Sequence, residues 1–154
     1  MATEEVVELT VKAHSGMDII PRDECLRLLA SQKVGRLGFL LGDQPMILPV
    51  NYSIEADIVL FRTGLGTKLE AATDAKVAFE VDEVDDSAGT GWSVVVQGVA
   101  QEITSDVDVS AYALREAAAP TWLPGPADHY MRIVPRHISG RRLPETRPPV
   151  AATL

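Results

Sequence analysis

The sequence predicts a mainly β fold in which six short strands form an antiparallel barrel with flanking helices. Two observations favour this class. Apolar segments of strand length recur along the chain, and turn signals rich in Gly, Asp and Ala separate several of them at hairpin distance. The regular alternation of strand and helix that builds a parallel sheet is absent.

A helix is predicted first, and three strands follow it. Pro21 fits the first helical position, where its missing N–H costs nothing, and acidic residues after it suit the positive end of the helix dipole. The helix is therefore placed over 21–32. Turn signals at Gly42-Asp43 and at Glu55-Ala56-Asp57 separate the strands. These strands are predicted over 34–41, 46–54 and 58–62.

The second half of the chain is predicted to contain two more helices and three more strands. Good helix formers indicate a helix over 67–75, and Ser105 or Asp106 is expected to cap a helix over 106–118. Pro135 has no N–H to give to a ladder, so it predicts an edge or a bulge in the last strand. The strands are predicted over 77–84, 92–103 and 130–142.

One domain with a polar segment at each end is expected. The 154 residues suffice for one hydrophobic core. Residues 1–17, which are polar and acidic, are predicted to be a flexible arm. Residues 18–143 form the predicted domain, and the proline-rich residues 144–154 a disordered tail.

Charge and composition argue against several classes of protein. The net charge is -8 at pH 7, whereas a nucleic-acid binder normally presents a basic face. The N-terminal residues have the wrong sign for a signal peptide, and no apolar run is long enough to span a membrane. The single cysteine, Cys25, allows no internal disulfide. We therefore expect a cytoplasmic protein that binds neither nucleic acid nor a membrane.

The chain from 61 to 69 combines the groups that bind a phosphate. An arginine can make a bidentate contact, a lysine supplies a point charge, and two threonines donate hydrogen bonds. Two glycines let the backbone come close, and a predicted helix start presents free N–H groups. In chain order these residues are Arg62, Thr63, Gly64, Gly66, Thr67 and Lys68.

Neither of the common nucleotide motifs fits this stretch. Lys68 is followed by Leu69, where a P-loop needs Ser or Thr for magnesium, and the Gly-x-Gly-x-x-Gly spacing is absent. From these residues alone, a glycine turn with two solvated cations remains the alternative to a phosphate site.

Five short segments occur in an order that is more specific than any one of them. They are Gly-Arg-Leu-Gly at 35–38, Leu-Pro-Val-Asn-Tyr at 48–52, Phe-Arg-Thr-Gly at 61–64 continuing to Lys68, Gly-Trp-Ser-Val at 91–94 with Gly98, and Ile-Ser-Gly-Arg-Arg at 138–142. Together they resemble the pyridoxamine 5'-phosphate oxidase-like family of FMN-binding split barrels, and its small bacterial branch more closely than the vitamin B6 enzyme.

The resemblance implies a six-stranded antiparallel split β-barrel, paired as a homodimer with FMN at the interface. The implied cofactor-binding residues are Pro49, Val50, Asn51, Tyr52, Arg62, Thr63, Gly66, Thr67, Lys68, Trp92 and Ser93. Those up to Tyr52 would line the isoalloxazine and ribityl chain, partly through backbone groups. Those from Arg62 to Lys68 would hold the 5'-phosphate, and the last two would lie beside the flavin ring.

The function implied by the resemblance is that of an FMN-dependent oxidoreductase. The flavin carries the electron chemistry, so no side chain is named as catalytic. A small-molecule acceptor and a reduced nicotinamide donor are the expected partners, although no nicotinamide motif is visible. The alternatives are a non-enzymatic flavin protein for storage or sensing, an F420-dependent reductase on the same fold, and an interaction module without cofactor.

Two departures from the family argue against two of its activities. The vitamin B6 oxidase ends in a basic segment that grips the substrate phosphate, whereas this chain ends in Arg141-Arg142-Leu143 and a proline-rich tail. Relatives that reduce nitroimidazoles often carry a histidine at the position of Arg62. The histidines of this chain are scattered, so no metal site is predicted.

Overall fold

The computed structural model describes residues 16–64, 66–104, 109–122 and 124–143, without the side chains of residues 67, 68, 109 and 110. The predicted tail, nearly all of the predicted arm and the predicted helix caps Ser105 and Asp106 lie outside this part of the chain.

The described residues contain eight strands in a single antiparallel sheet and three short helices. The strands are β1 (Asp18–Ile20), β2 (Val34–Leu41), β3 (Gln44–Asn51), β4 (Ser53–Glu55), β5 (Ile58–Thr63), β6 (Lys76–Asp85), β7 (Thr90–Glu102) and β8 (His129–Arg142). The helices are α1 (Arg22–Ala30), α2 (Thr67–Ala72) and α3 (Val109–Ala117). None of these helices is long and apolar enough to cross a membrane.

The strand order in the sheet is β3-β2-β6-β7-β8-β5-β4, with β1 paired to the far end of β8. The sheet curls into a half-barrel, so the predicted mainly β, antiparallel class is confirmed. Alternate side chains of the long strands point into the curl, as the period of two requires. Phe79, Val81, Val94 and Val96 are fully buried there.

The predicted number of six strands is wrong, because β1 and β4 are additional. β1 has only three residues, too few to give a periodic signal. The predicted strand at 46–54 is divided at Tyr52. Asn51 is the last residue of β3 with a partner on β2, namely Val34, and beyond it Ser53 pairs with Leu60 of β5.

Helix α1 begins one residue later than predicted. Pro21 is the N-cap residue, and its carbonyl accepts the N–H of Cys25 at 2.9 Å. The helix buries Cys25, Leu28 and Leu29 against the sheet. It approaches β8 closely, since a Cβ on Gly140 would lie 2.6 Å from the Cys25 sulfur.

The bulge predicted at Pro135 is present, but β8 is not an edge strand. It pairs with β7 on one side and with β5 and β1 on the other. The register shifts where Gln97 faces His137 and Gly98 faces Pro135, so Arg136 is the extra residue. The bulge accommodates the missing N–H of a proline inside a central strand.

A smaller core lies on the other face of β5. Leu60, Ile103 and Ala111 are buried together there, with the ring of Tyr130 packed against them. Val59 and Phe61 point to the main core instead. Helix α3 therefore covers the face of β5 from which Arg62 also projects.

Gly98→Ala is expected to destabilise the fold, because a Cβ at this position would lie 2.1 Å from the backbone carbonyl oxygen of Val134. Backbone cannot move aside as a side chain can, so we expect a loss of about 1–3 kcal/mol in the free energy of unfolding. Urea denaturation measures it. Gly38→Ala is the control, because its Cβ would make an ordinary contact at 3.5 Å. Equal stability of the two variants would contradict the assigned register.

Candidate functional site

A cavity of about 550 Å³ opens between the ends of β3 and β5 and the loop before β8. This volume lies in the usual range for small-molecule sites. One wall is the β3 segment from Leu48 to Asn51, and a second is formed by Arg62, Thr63 and Gly64. The third wall is the loop formed by residues 121, 122 and 124–127, which we call the Trp122 loop.

Five of the predicted cofactor-binding residues line this cavity, and they come from two separate segments. They are Pro49, Val50, Asn51, Arg62 and Thr63. Gly66 is exposed and forms the N-cap of α2, outside the cavity lining. Thr67 and Lys68 begin α2, but their side chains lie outside the described part of the structure.

Arg62 is held at the cavity by two contacts with the chain at the start of β8. Its Nε donates a hydrogen bond to the carbonyl of Ala127 at 3.2 Å. Its guanidinium carbon lies 4.9 Å from the ring centroid of Tyr130, the residue that it faces across the β5–β8 ladder. Among the described residues it forms no ion pair with a carboxylate. Its charge is therefore available to an anion.

Tyr130 supports a second arginine as well. The guanidinium carbon of Arg115, on α3, lies 4.6 Å from the same ring centroid. Cation–π contacts of this kind orient a guanidinium while leaving its N–H groups free to donate. Two cations on one ring give this part of an acidic chain a local positive charge.

Gly64 allows the Trp122 loop to approach the end of β5. A Cβ at this position would lie 2.9 Å from the carbonyl oxygen of Pro126, so any larger residue would push the loop away. Thr63 donates through its hydroxyl to the Gly64 carbonyl at 3.3 Å, a long and local bond. Because Gly64 and Pro126 lie so close, the end of β5 and the Trp122 loop form one continuous wall that begins at Arg62.

Two polar side chains tie the Trp122 loop and the chain just before it to the sheet. The Oδ1 of Asn51 accepts the backbone N–H of Trp122 at 2.8 Å. The hydroxyl of Ser53 donates to the carbonyl of Ala117 at 2.8 Å and accepts the N–H of Ala119 at 3.2 Å. These bonds make the loop part of the site, a role that the sequence analysis did not predict. A tryptophan among three prolines was the signal that could have identified it.

Tyr52 differs from its predicted place, because its side chain lies in the main core. It is 2% exposed, its hydroxyl donates to the carbonyl of Leu29, and its ring meets Phe79 edge-on at 4.9 Å. Burial raises the pKa of the Tyr52 hydroxyl above its usual range. Leu48 and Val50 pack against the same core, and the alternation along β3 that places them there continues to Tyr52.

Trp92 and Ser93 lie on β7 and do not line the cavity of their own chain. Trp92 borders a separate open depression with Glu83, Arg142 and Leu143. Ser93 pairs with Asp82 on one side and Arg141 on the other. The fold of this chain therefore does not bring these two residues together with Arg62.

Arg142 is engaged within the chain. It donates to the carboxylate of Glu24 at 2.8 Å, and this contact holds the pKa of Glu24 below its usual value. Arg27 pairs with the same carboxylate at 3.2 Å. The end of β8 is thereby fastened to α1, which is a structural use of a strand-end arginine.

Comparison with known proteins finds relatives for most of the chain. A family model described as pyridoxamine 5'-phosphate oxidase matches residues 21–142. An uncharacterized protein of Mycobacterium tuberculosis is 35% identical over 130 residues, which cover 80% of this chain and 84% of that protein.

Two solved structures extend this likeness to the fold. The FAD binding protein from Mycobacterium smegmatis is 36% identical, with a TM-score of 0.67, over 80% of this chain and 98% of that chain. A FAD-binding protein from Mesorhizobium loti is 27% identical, with a TM-score of 0.68, over 82% of this chain and 97% of that chain.

Tyr52→Phe is expected to lower stability and to leave ligand binding at the cavity unchanged. The substitution removes the donor to the Leu29 carbonyl in a buried setting, at a cost of about 0.5–1.5 kcal/mol. Chemical denaturation measures the loss. Unchanged stability together with altered ligand affinity would instead place the hydroxyl in the site.

Proposed function

Because the chain belongs to the pyridoxamine 5'-phosphate oxidase family, we propose that it binds a flavin nucleotide in this cavity and works as a flavin-dependent oxidoreductase. One observation carries the proposal. A single cavity joins an apolar strand wall to an arginine that has no carboxylate partner among the described residues.

The residues present fit the FMN unit of such a cofactor. Leu48, Pro49 and Val50 offer apolar surface to a planar ring, and Arg62 and Thr63 offer a cation and a hydroxyl to a phosphate. Gly64 leaves no Cβ between backbone and ligand. Two similar solved proteins are described as binding FAD, which contains the same FMN unit.

The flavin, when bound, supplies the electron or hydride transfer. The chain's own residues would bind and orient it. Ala127 and Tyr130 already hold Arg62, so little side-chain freedom remains to be lost when an anion binds. The apolar β3 wall would keep water from one face of the ring. A reduced nicotinamide and a small-molecule acceptor complete the proposed reaction.

The active form is proposed to be a homodimer. Leu40 and Ile47 are 56% and 70% exposed on the outer face of the β2–β3 hairpin. Apolar side chains this exposed suit a surface that a second copy covers. Trp92 and Ser93, which are remote from the cavity of their own chain, would then be available to the other protomer.

An absorbance spectrum of the purified protein, read across a sizing column, tests both parts of the proposal. Flavin absorbance co-eluting at the mass of a dimer is expected, before or after addition of FMN or FAD. Steady-state turnover with a nicotinamide donor and a panel of quinones and nitro-compounds then separates an enzyme from a storage or sensing protein. Binding of F420 alone would replace the cofactor, and binding of none of the three would overturn the proposal.

Arg62→Ala is expected to weaken FMN binding by about 1.5–3 kcal/mol, the range for a hydrogen bond to a charged group. Equilibrium titration followed by flavin fluorescence measures it.

The matched control is Arg132→Ala. Arg132 is also a strand arginine, on β8, but it bonds to Gln101 at 3.1 Å and does not line the cavity. Its loss should leave FMN affinity unchanged. Equal affinities of the two variants would remove Arg62 from the site.

A further inference from the structure

Trp122 is the most exposed of the large apolar side chains that line the cavity in the part of the chain that the structure describes. It is 70% exposed, yet it lines the cavity that Arg62 also lines. Exposed single apolar residues are common on surfaces, but one at the mouth of a cavity offers its ring to whatever enters.

The backbone of Trp122 is anchored, and its exposed ring projects from that anchored backbone. The backbone N–H of Trp122 donates to the Oδ1 of Asn51 at 2.8 Å, and Ser53 holds the chain three residues earlier through the N–H of Ala119. Pro124 and Pro126 follow, and each restricts the backbone. A planar ring on such an anchored loop can stack on a ligand at a small cost in conformational entropy.

The loop also connects this ring to the anion-binding arginine. The carbonyl of Ala127 accepts from Arg62, and the carbonyl of Pro126 comes within 2.9 Å of a Cβ position on Gly64. A ligand phosphate at Arg62 would therefore lie against one end of the Trp122 loop. FMN ends at that phosphate, whereas FAD continues from it into an adenylate group.

We propose that Trp122 is a stacking surface for the adenine of FAD and makes the site prefer FAD to FMN. This inference rests on the proposed flavin site and adds to it a position for the adenylate half of FAD. The apolar β3 wall, in which Leu48 and Val50 are half-buried, suits the isoalloxazine. The exposed rim at Trp122 suits a group that takes no part in the chemistry. An adenine can stack on an aromatic side chain without hydrogen bonds to its edge, so the ring of Trp122 alone is enough to hold it.

Calorimetric titration of the full chain with FMN and, separately, with FAD tests the proposal. The wild-type protein is expected to bind FAD about ten-fold or more tightly than FMN. Trp122→Ala should weaken FAD by about ten-fold or more and change FMN by less than about two-fold, while Trp122→Phe should retain most of the FAD affinity.

The matched control is Tyr112→Ala, which removes an equally exposed aromatic from α3, outside the cavity. It should change neither affinity. Circular dichroism of each variant checks that the fold is kept.

The outcomes separate this inference from the proposed function. Equal losses of FMN and FAD in Trp122→Ala would place the ring on the isoalloxazine and overturn the adenine assignment, with the flavin site intact. Unchanged affinities for both would remove Trp122 from the site. Failure of the wild-type protein to bind either flavin would overturn the inference together with the function on which it rests.

Discussion

The pairing of β8 on both of its edges is the constraint on which the rest of the structure depends. β8 is the longest strand, with 14 residues, and it joins β7 to β5 and β1. A proline inside such a strand is tolerated only because the bulge at Arg136 absorbs the missing N–H. At the same point Gly98 has no Cβ, so the backbone carbonyl of Val134 on β8 can lie close to it. Without this local solution the sheet would divide into two halves.

The candidate site takes its geometry from the start of that strand. Ala127, which lies just before β8, and Tyr130, the second residue of β8, orient Arg62. At the end, Gly140 admits the sulfur of Cys25, and Arg142 pairs with Glu24 of α1. Functional side chains on a loop or a strand end need a rigid support of this kind, because small displacements weaken binding.

The charge distribution is consistent with a local anion site on an acidic protein. The net charge is -8. Four of the nine arginines that the structure describes pair with carboxylates, as Arg36 does with Glu80 and Asp82. Burial and the neighbouring Asp82 raise the pKa of Glu80 above its usual value, although Arg36 acts to lower it. Arg62 and Arg115 instead share an aromatic ring, which leaves their charge uncompensated in the described residues. Because the rest of the protein is acidic, such a small positive region attracts only an anion that comes into direct contact with the two guanidinium groups.

The sequence by itself determined the elements whose signals are local. Periodicity placed β2, β5 and β6 within one or two residues. The phosphate site at Arg62 and Thr63 stays a prediction from residue types. Only the tertiary structure decided which side chains meet. Asn51, Arg62 and Trp122 share a cavity because the β5–β8 register and two side-chain hydrogen bonds bring distant segments together. The inward direction of Tyr52, by contrast, follows from the local alternation that also turns Leu48 and Val50 to the core. Local patterns specify the direction of a side chain along one strand, whereas contacts between segments depend on long-range register, which no short window of sequence contains.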